Sequence, residues 1–251
     1  MSSKLAQTKN PGRNNIRRLL DSFEITGPHG RHVVLVMQAA QMSLRDFKTV
    51  FKPDGFDESF VKGAVQELLK ALDFIHSEAE LVHTGPMLLS DFGEARPGPG
   101  PHAGDIMPIQ YRAPETIMYI AWSYPVDIWS VGLTAWDLLG SKRLFTAKDE
   151  DGQVYDAAHL AEMIATLGPP PPEFLKRNPE TTAEFWDDQG NWLDLAPIPN
   201  NRSLEELETK LEDSSGFIAF LRRVLTWTPE DRPTARELLQ DPWVSGKKGD
   251  E

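Results

Sequence analysis

Ser90-Asp91-Phe92-Gly93 opens the stretch that decides how this chain is read, and Ala113-Pro114-Glu115 closes it. Between them, the segment Arg96 to Gly104 carries Pro97, Gly98, Pro99, Gly100, Pro101 and Gly104. Glycine frees the backbone and proline removes an N–H donor, so this run predicts a flexible loop, neither helix nor strand. It holds no Ser, Thr or Tyr between Gly93 and Gln110; Tyr111 is the first hydroxyl. Switching by phosphorylation inside the loop is therefore not expected. Beyond the loop stands Tyr124-Pro125-Val126-Asp127-Ile128-Trp129-Ser130-Val131-Gly132. From Asp127 to Leu139 the residues are apolar on all sides, which predicts a helix central to the core, with Gly140 suited to end it. Near the end comes Thr228-Pro229-Glu230-Asp231-Arg232-Pro233-Thr234-Ala235. A lone tripeptide carries little weight, but these landmarks in this order are specific.

Working outward, the whole chain sets bounds. Its 251 residues can bury a sizeable core. Hydrophobic residues make up 40% and charged residues 25%, as in ordinary globular domains. Purely apolar runs such as Val33 to Met37 are far shorter than a membrane span. The polar start, Met1 to Asn15, lacks the apolar core of a signal peptide. There is no cysteine, which excludes a disulfide framework and thiolate metal sites. These features suit the cytoplasm or the nucleus and do not choose between them. A net charge of −12 argues against a general nucleic-acid binder and permits basic partners, though acidity also simply aids solubility.

Residues 1–18 read as a disordered arm, loosely basic through Lys4, Lys9, Arg13, Arg17 and Arg18. Residues 19–40 hold two short strands, Leu19 to Phe23 and His32 to Met37, around a Gly-containing turn. A plain buried hairpin is one reading of them. Ser43 to Phe47 begins a short helix. Asp57 can cap the next, in which Phe60, Val61, Ala64, Val65, Leu68, Leu69, Leu72 and Ile75 recur at helical spacing and predict one buried stripe. Asp156 to Leu167 is amphipathic and stops at Gly168, before a proline run that reads as a rigid connector. Phe174 to Asn201 shows no clear period and reads as a packed loop. Ser203 to Glu206 and Thr234 to Glu237 each form a capping box that opens a helix, and Phe217 to Trp227 carries a further apolar stripe.

Asp-Phe-Gly followed by Ala-Pro-Glu resembles the activation segment of eukaryotic protein kinases. Arg112 before Ala-Pro-Glu, with Leu167-Gly168-Pro169-Pro170, is similar to the branch holding the cyclin-dependent, mitogen-activated and SR-protein kinases. Val82-His83-Thr84 and Ser90-Asp91-Phe92-Gly93-Glu94-Ala95 narrow this to the SR-protein kinases, in forms like those of filamentous fungi. The fold class this implies is mainly α (α+β): a kinase-like C-terminal lobe over residues 41–245, a remnant of the β-rich N-terminal lobe with its hinge over 19–40, and a charged tail over 246–251. The implied ancestral activity is ATP- and Mg²⁺-dependent phosphorylation of serines in basic Arg-Ser segments. The resemblance puts Met37, Gln38 and Ala39 at the adenine-contacting hinge, Asp91 on magnesium, and Tyr111 and Arg112 in the substrate-facing activation segment. It makes Glu115 and Arg232 a structural ion pair, and Asp127 the anchor of the catalytic loop.

The sequence departs from that pattern at the loop itself. The family's loop reads His-Arg-Asp, with Asn five residues beyond the Asp. Counting from His83, the Asp position holds Gly85 and the Asn position holds Ser90. Met87-Leu88-Leu89-Ser90 resembles the strand directly before Asp-Phe-Gly, so after His83 and Thr84 the catalytic loop, its base and its second metal ligand are missing. No Gly-x-Gly-x-x-Gly or Val-Ala-x-Lys precedes the hinge. Asp91 is the one phosphate-side residue left, and a single carboxylate should hold Mg²⁺ weakly. The expectation is a truncated, catalytically dead kinase relative with no intact catalytic residue and weak or absent ATP binding. It would bind a protein partner, with an Arg-Ser-rich basic protein as the candidate, and contact neither nucleic acid directly nor membrane. Two rivals stand beside it: a fragment or mis-spliced form of an active kinase, and a purely non-catalytic scaffold.

Overall fold

The computed structural model describes residues 9–40, 42–82, 95–149 and 151–247. Two strands come first, β1 (Leu19–Gly27) and β2 (Gly30–Met37), paired antiparallel with Phe23 opposite Val34 and Ile25 opposite His32. The hairpin is exposed on both faces: Phe23 and Ile25 are each 49% exposed, Val33 66% and Leu35 59%. The buried-hairpin reading is therefore wrong, because no second layer covers these strands among the described residues.

Helices follow: α1 (Leu44–Phe51), α2 (Glu58–Phe74), and, after two short paired strands β3 (Leu81–Val82) and β4 (Arg96–Pro97), α3 (Pro114–Ile117) and α4 (Pro125–Leu139). Then come α5 (Asp156–Leu167), α6 (Pro172–Leu175), α7 (Pro179–Phe185), α8 (Leu204–Leu207), α9 (Ser215–Val224), α10 (Ala235–Leu238) and α11 (Pro242–Ser245). The architecture is mainly helical, with few strands.

Local chemistry sets the helix ends. The side chains of Ser43 and Asp57 accept from the N–H groups of Asp46 and Phe60 and open α1 and α2. Complete capping boxes at Ser203 and Thr234 open α8 and α10. Pro125 starts α4, where its missing N–H costs no hydrogen bond. Gly140 ends α4 in extended backbone, φ −101°, and not in a left-handed cap. The stripe of α2, with Val61, Val65, Leu69 and Leu72 buried, packs on α4, but Phe60, predicted in the same stripe, is exposed and stacks on Phe56 at its edge. On its far side α4 meets α9 so closely that a Cβ at Gly132 would lie 2.7 Å from Val224 Cγ2.

Three sequence expectations are corrected. The arm predicted as disordered over 1–18 is ordered from residue 9 onward. Pro11–Asn15 forms a 3-10 turn against α2, capped by the Asn10 side chain. Gly12 allows this, since a Cβ there would lie 1.9 Å from the Lys70 carbonyl oxygen. The segment 174–201 contains α7, capped by Asn178, and a turn closed by a Trp186–Trp192 bridge. The Gly/Pro-rich run is held at both ends: Arg96–Pro97 pairs with β3, and His102 bridges to Trp122.

Candidate functional site

The activation-segment landmark is tied down first. Glu115 lies in the first turn of α3 and Arg232 follows a 3-10 turn after α9. Arg232 Nη1 and Nη2 donate to Glu115 Oε1 and Oε2 at 2.6 and 2.8 Å, and neither side chain has solvent exposure. The other guanidinium hydrogens go to the carbonyls of Thr226 and Pro125, at 2.8 and 3.1 Å. The group lies 5.1 Å from the Trp129 ring centroid. A buried charge pair is tolerable only when fully hydrogen-bonded, and this one is.

The second cluster joins α2 to α4. A π-helical turn, Ile75–Ala79, widens the end of α2 and stops at Glu80 in left-handed backbone. It brings His76 Nε2 to 2.8 Å from Asp127 Oδ2, with the imidazole stacked on Tyr124 at 4.4 Å between centroids. Asp127, expected to anchor the catalytic loop, is thus bonded to a residue that sequence reading assigned no role.

Around the end of the activation segment, Tyr111 donates to Asp137 Oδ2 at 2.6 Å. Burial and the adjacent carboxylate raise the Tyr111 pKa far above the phenol range. Burial also raises Asp137, against the Tyr111 hydrogen bond and the nearby Lys48, Arg143 and Arg45. Lys48 donates to the carbonyls of Asp137 and Gly140 at the end of α4, and burial lowers its pKa. Arg112 reaches Asp105 at 3.1 Å and Asp156 at 3.6 Å, and its carbonyl accepts from His159 Nε2 at 3.1 Å. His159 is wholly buried; its pKa falls to about 4 through desolvation, so it is neutral, with Nδ1 unpartnered.

At the hinge, β2 ends with Met37. The N–H of Gln38 donates to Arg18 O at 2.8 Å, and its carbonyl accepts from Arg17 Nε at 2.7 Å. The predicted metal residue Asp91 and the loop positions His83 and Thr84 lie outside the described residues. Among the described residues no group of three His, Asp or Glu side chains could hold a metal, and no helix is long and apolar enough to cross a membrane.

Comparison with known proteins accords with this architecture. The model of the protein kinase domain matches residues 4–244. A serine/threonine protein kinase of Aspergillus fumigatus is 39% identical, over 95% of this chain and 71% of its own. A serine/threonine-protein kinase named SRPK, from Physarum polycephalum, is 22% identical over 91% of this chain and 70% of its own. A kinase domain of known crystal structure superposes with a TM-score of 0.79, at 21% identity, over 95% of this chain and 80% of that one. The chain belongs to the protein kinase family.

Proposed function

We propose that this chain is a kinase-fold module of SR-protein-kinase ancestry that does not itself transfer phosphate and acts by binding partners through its helical lobe. The observation that carries the reading is internal to the sequence. Asp91 follows His83 by eight positions, with Gly85 and Ser90 where the family has its base and its second metal ligand. Phosphoryl transfer depends on placing the nucleophile and neutralising phosphate charge. Loss of a general base alone costs about 10²- to 10⁴-fold, and loss of a charge-stabilising group costs about as much again. Weak nucleotide binding is supported by the hinge, where the Gln38 N–H is bonded to the Arg18 carbonyl and its own carbonyl accepts from Arg17. The SR-protein assignment is supported by Val82-His83-Thr84, by Ser90-Asp91-Phe92-Gly93-Glu94-Ala95 and by the SRPK relative. The partner this favours is a basic, Arg-Ser-rich protein, to which an acidic chain of net charge −12 is complementary.

Thermal unfolding with and without Mg-ATP tests the nucleotide part. A ligand present at about 100 times its Kd stabilises by about 2.7 kcal/mol, a rise of several degrees. The expected result is no resolvable shift at millimolar Mg-ATP. A rise of several degrees, lost in Asp91→Ala, would contradict it.

A further inference from the structure

Between α1, α2, α4 and the segment 107–111 lies a cavity of about 540 Å³. That falls inside the range of roughly 300–1,000 Å³ usual for small-molecule sites. One wall is apolar, built from Leu68 and Leu72 of α2 and Val131 and Leu138 of α4. Arg45, Lys48 and Arg143 also line it. Arg45 and Arg143 are exposed and make no salt bridge among the described residues; the Arg143 guanidinium rests 5.6 Å from the Tyr111 ring centroid. Two carboxylates face the same space, and both are engaged: Asp137 accepts from Tyr111, and Asp127 is bonded to His76. The hinge residues Met37, Gln38 and Ala39 do not line it.

We propose that this cavity is a binding site for a small amphipathic anion, its apolar body on the α2–α4 wall and its anionic head at Arg45 and Arg143. The charge balance argues for the anion. The chain carries 38 acidic against 26 basic residues, so its overall field repels anions. An anion is drawn here only by cations gathered locally. On the lining three cations, Arg45, Lys48 and Arg143, outnumber two carboxylates, of which Asp127 is bonded to His76 and Asp137 lies near all three cations. A neutral apolar ligand would gain nothing from either guanidinium group. A cationic one would add to their repulsion. The Tyr111 ring and the leucines then set the shape of the body, and the arginine pair sets its polarity. The site needs no nucleotide and no phosphoryl transfer, so it stands whether or not the chain is an active kinase.

Calorimetric titration of the full chain with octanoate, and with octan-1-ol as the uncharged counterpart, tests the proposal. Octanoate should saturate a single site, and octan-1-ol should bind about tenfold more weakly, since hydrogen bonds to a charged group are worth at least that factor. Arg45→Ala with Arg143→Ala, both at exposed positions, should bring octanoate down to the level of octan-1-ol. Thr49→Trp, an exposed substitution on the cavity lining, should block both probes while leaving the melting temperature of the free protein unchanged. Equal affinity for the two probes would overturn the proposal. So would octanoate binding that ignores the arginine substitutions or the Trp, and so would the lack of saturable octanoate binding in the millimolar range.

Discussion

Arg232 and Glu115, 117 residues apart, meet as a two-pronged ion pair with no solvent access, 2.6 and 2.8 Å between nitrogen and oxygen. It locks the end of the activation segment to the turn that follows α9. Removing one partner strands a buried charge. Glu115→Ala or Arg232→Ala should each cost about 3–5 kcal/mol in urea unfolding. Arg232→Lys should recover little, because an ammonium cannot span both carboxylate oxygens and two backbone carbonyls. If either alanine variant lost less than about 1 kcal/mol, the range usual for an exposed pair, the pair would have to be solvated.

The Tyr111–Asp137 bond separates a hydrogen-bond effect from a charge effect. Tyr111→Phe leaves a largely buried carboxylate without its hydroxyl donor and should cost about 1–3 kcal/mol. Asp137→Asn keeps an acceptor for the hydroxyl and removes the buried charge, so it should cost less than Tyr111→Phe near neutral pH. Paired denaturant melts of the two variants check the order; the reverse order would contradict this account.

His159 should make stability fall with acid. Its folded pKa, about 4, lies below the ordinary 6.5, so the unfolded chain binds the extra proton between those values. The stability is fully present above about pH 6.5 and is lost as pH drops toward about 4, a span worth about 3 kcal/mol. Arg112 and Arg202 lie close enough to oppose the charged imidazole. His159→Gln can still donate to the Arg112 carbonyl but cannot take up the proton. Its melting temperature should therefore fall less than that of the parent between pH 7 and pH 5; parallel curves would refute the role.

Gly132 fixes how closely α4 and α9 approach. A methyl group there would lie 2.7 Å from Val224 Cγ2 and 2.9 Å from Leu225 Cδ2. Gly132→Ala should lose about 1–3 kcal/mol by overpacking, despite the better helix propensity of alanine. A stabilised variant would show that the two helices can part freely.

Much of the helical frame was legible in the residues. The strongly apolar stretch from Asp127 to Leu139 pointed to a buried helix, and the boxes at Ser203 and Thr234 announce their helices because capping is decided within four residues. What stayed hidden depends on contacts across the chain. Pro11–Asn15 has no period of its own and is ordered by one glycine fitting against Lys70. The His76–Asp127 bond needs a π-helical turn that apolar spacing does not signal. Helix α7 follows an Asn178-Pro179 start that a search for apolar periodicity passes over, although an Asn cap before a proline was the available signal. Tyr111 and Arg112 were picked out by family resemblance, but their partners Asp137, Asp156 and His159 sit on helices whose placement only packing decides.

The most direct measurement is phosphoryl transfer from ³²P-labelled ATP to an Arg-Ser peptide by the 251-residue chain, run beside its Asp91→Ala variant. The account predicts that the two incorporate label equally, at the level of a no-protein control. Incorporation well above that control that disappears in Asp91→Ala would contradict it.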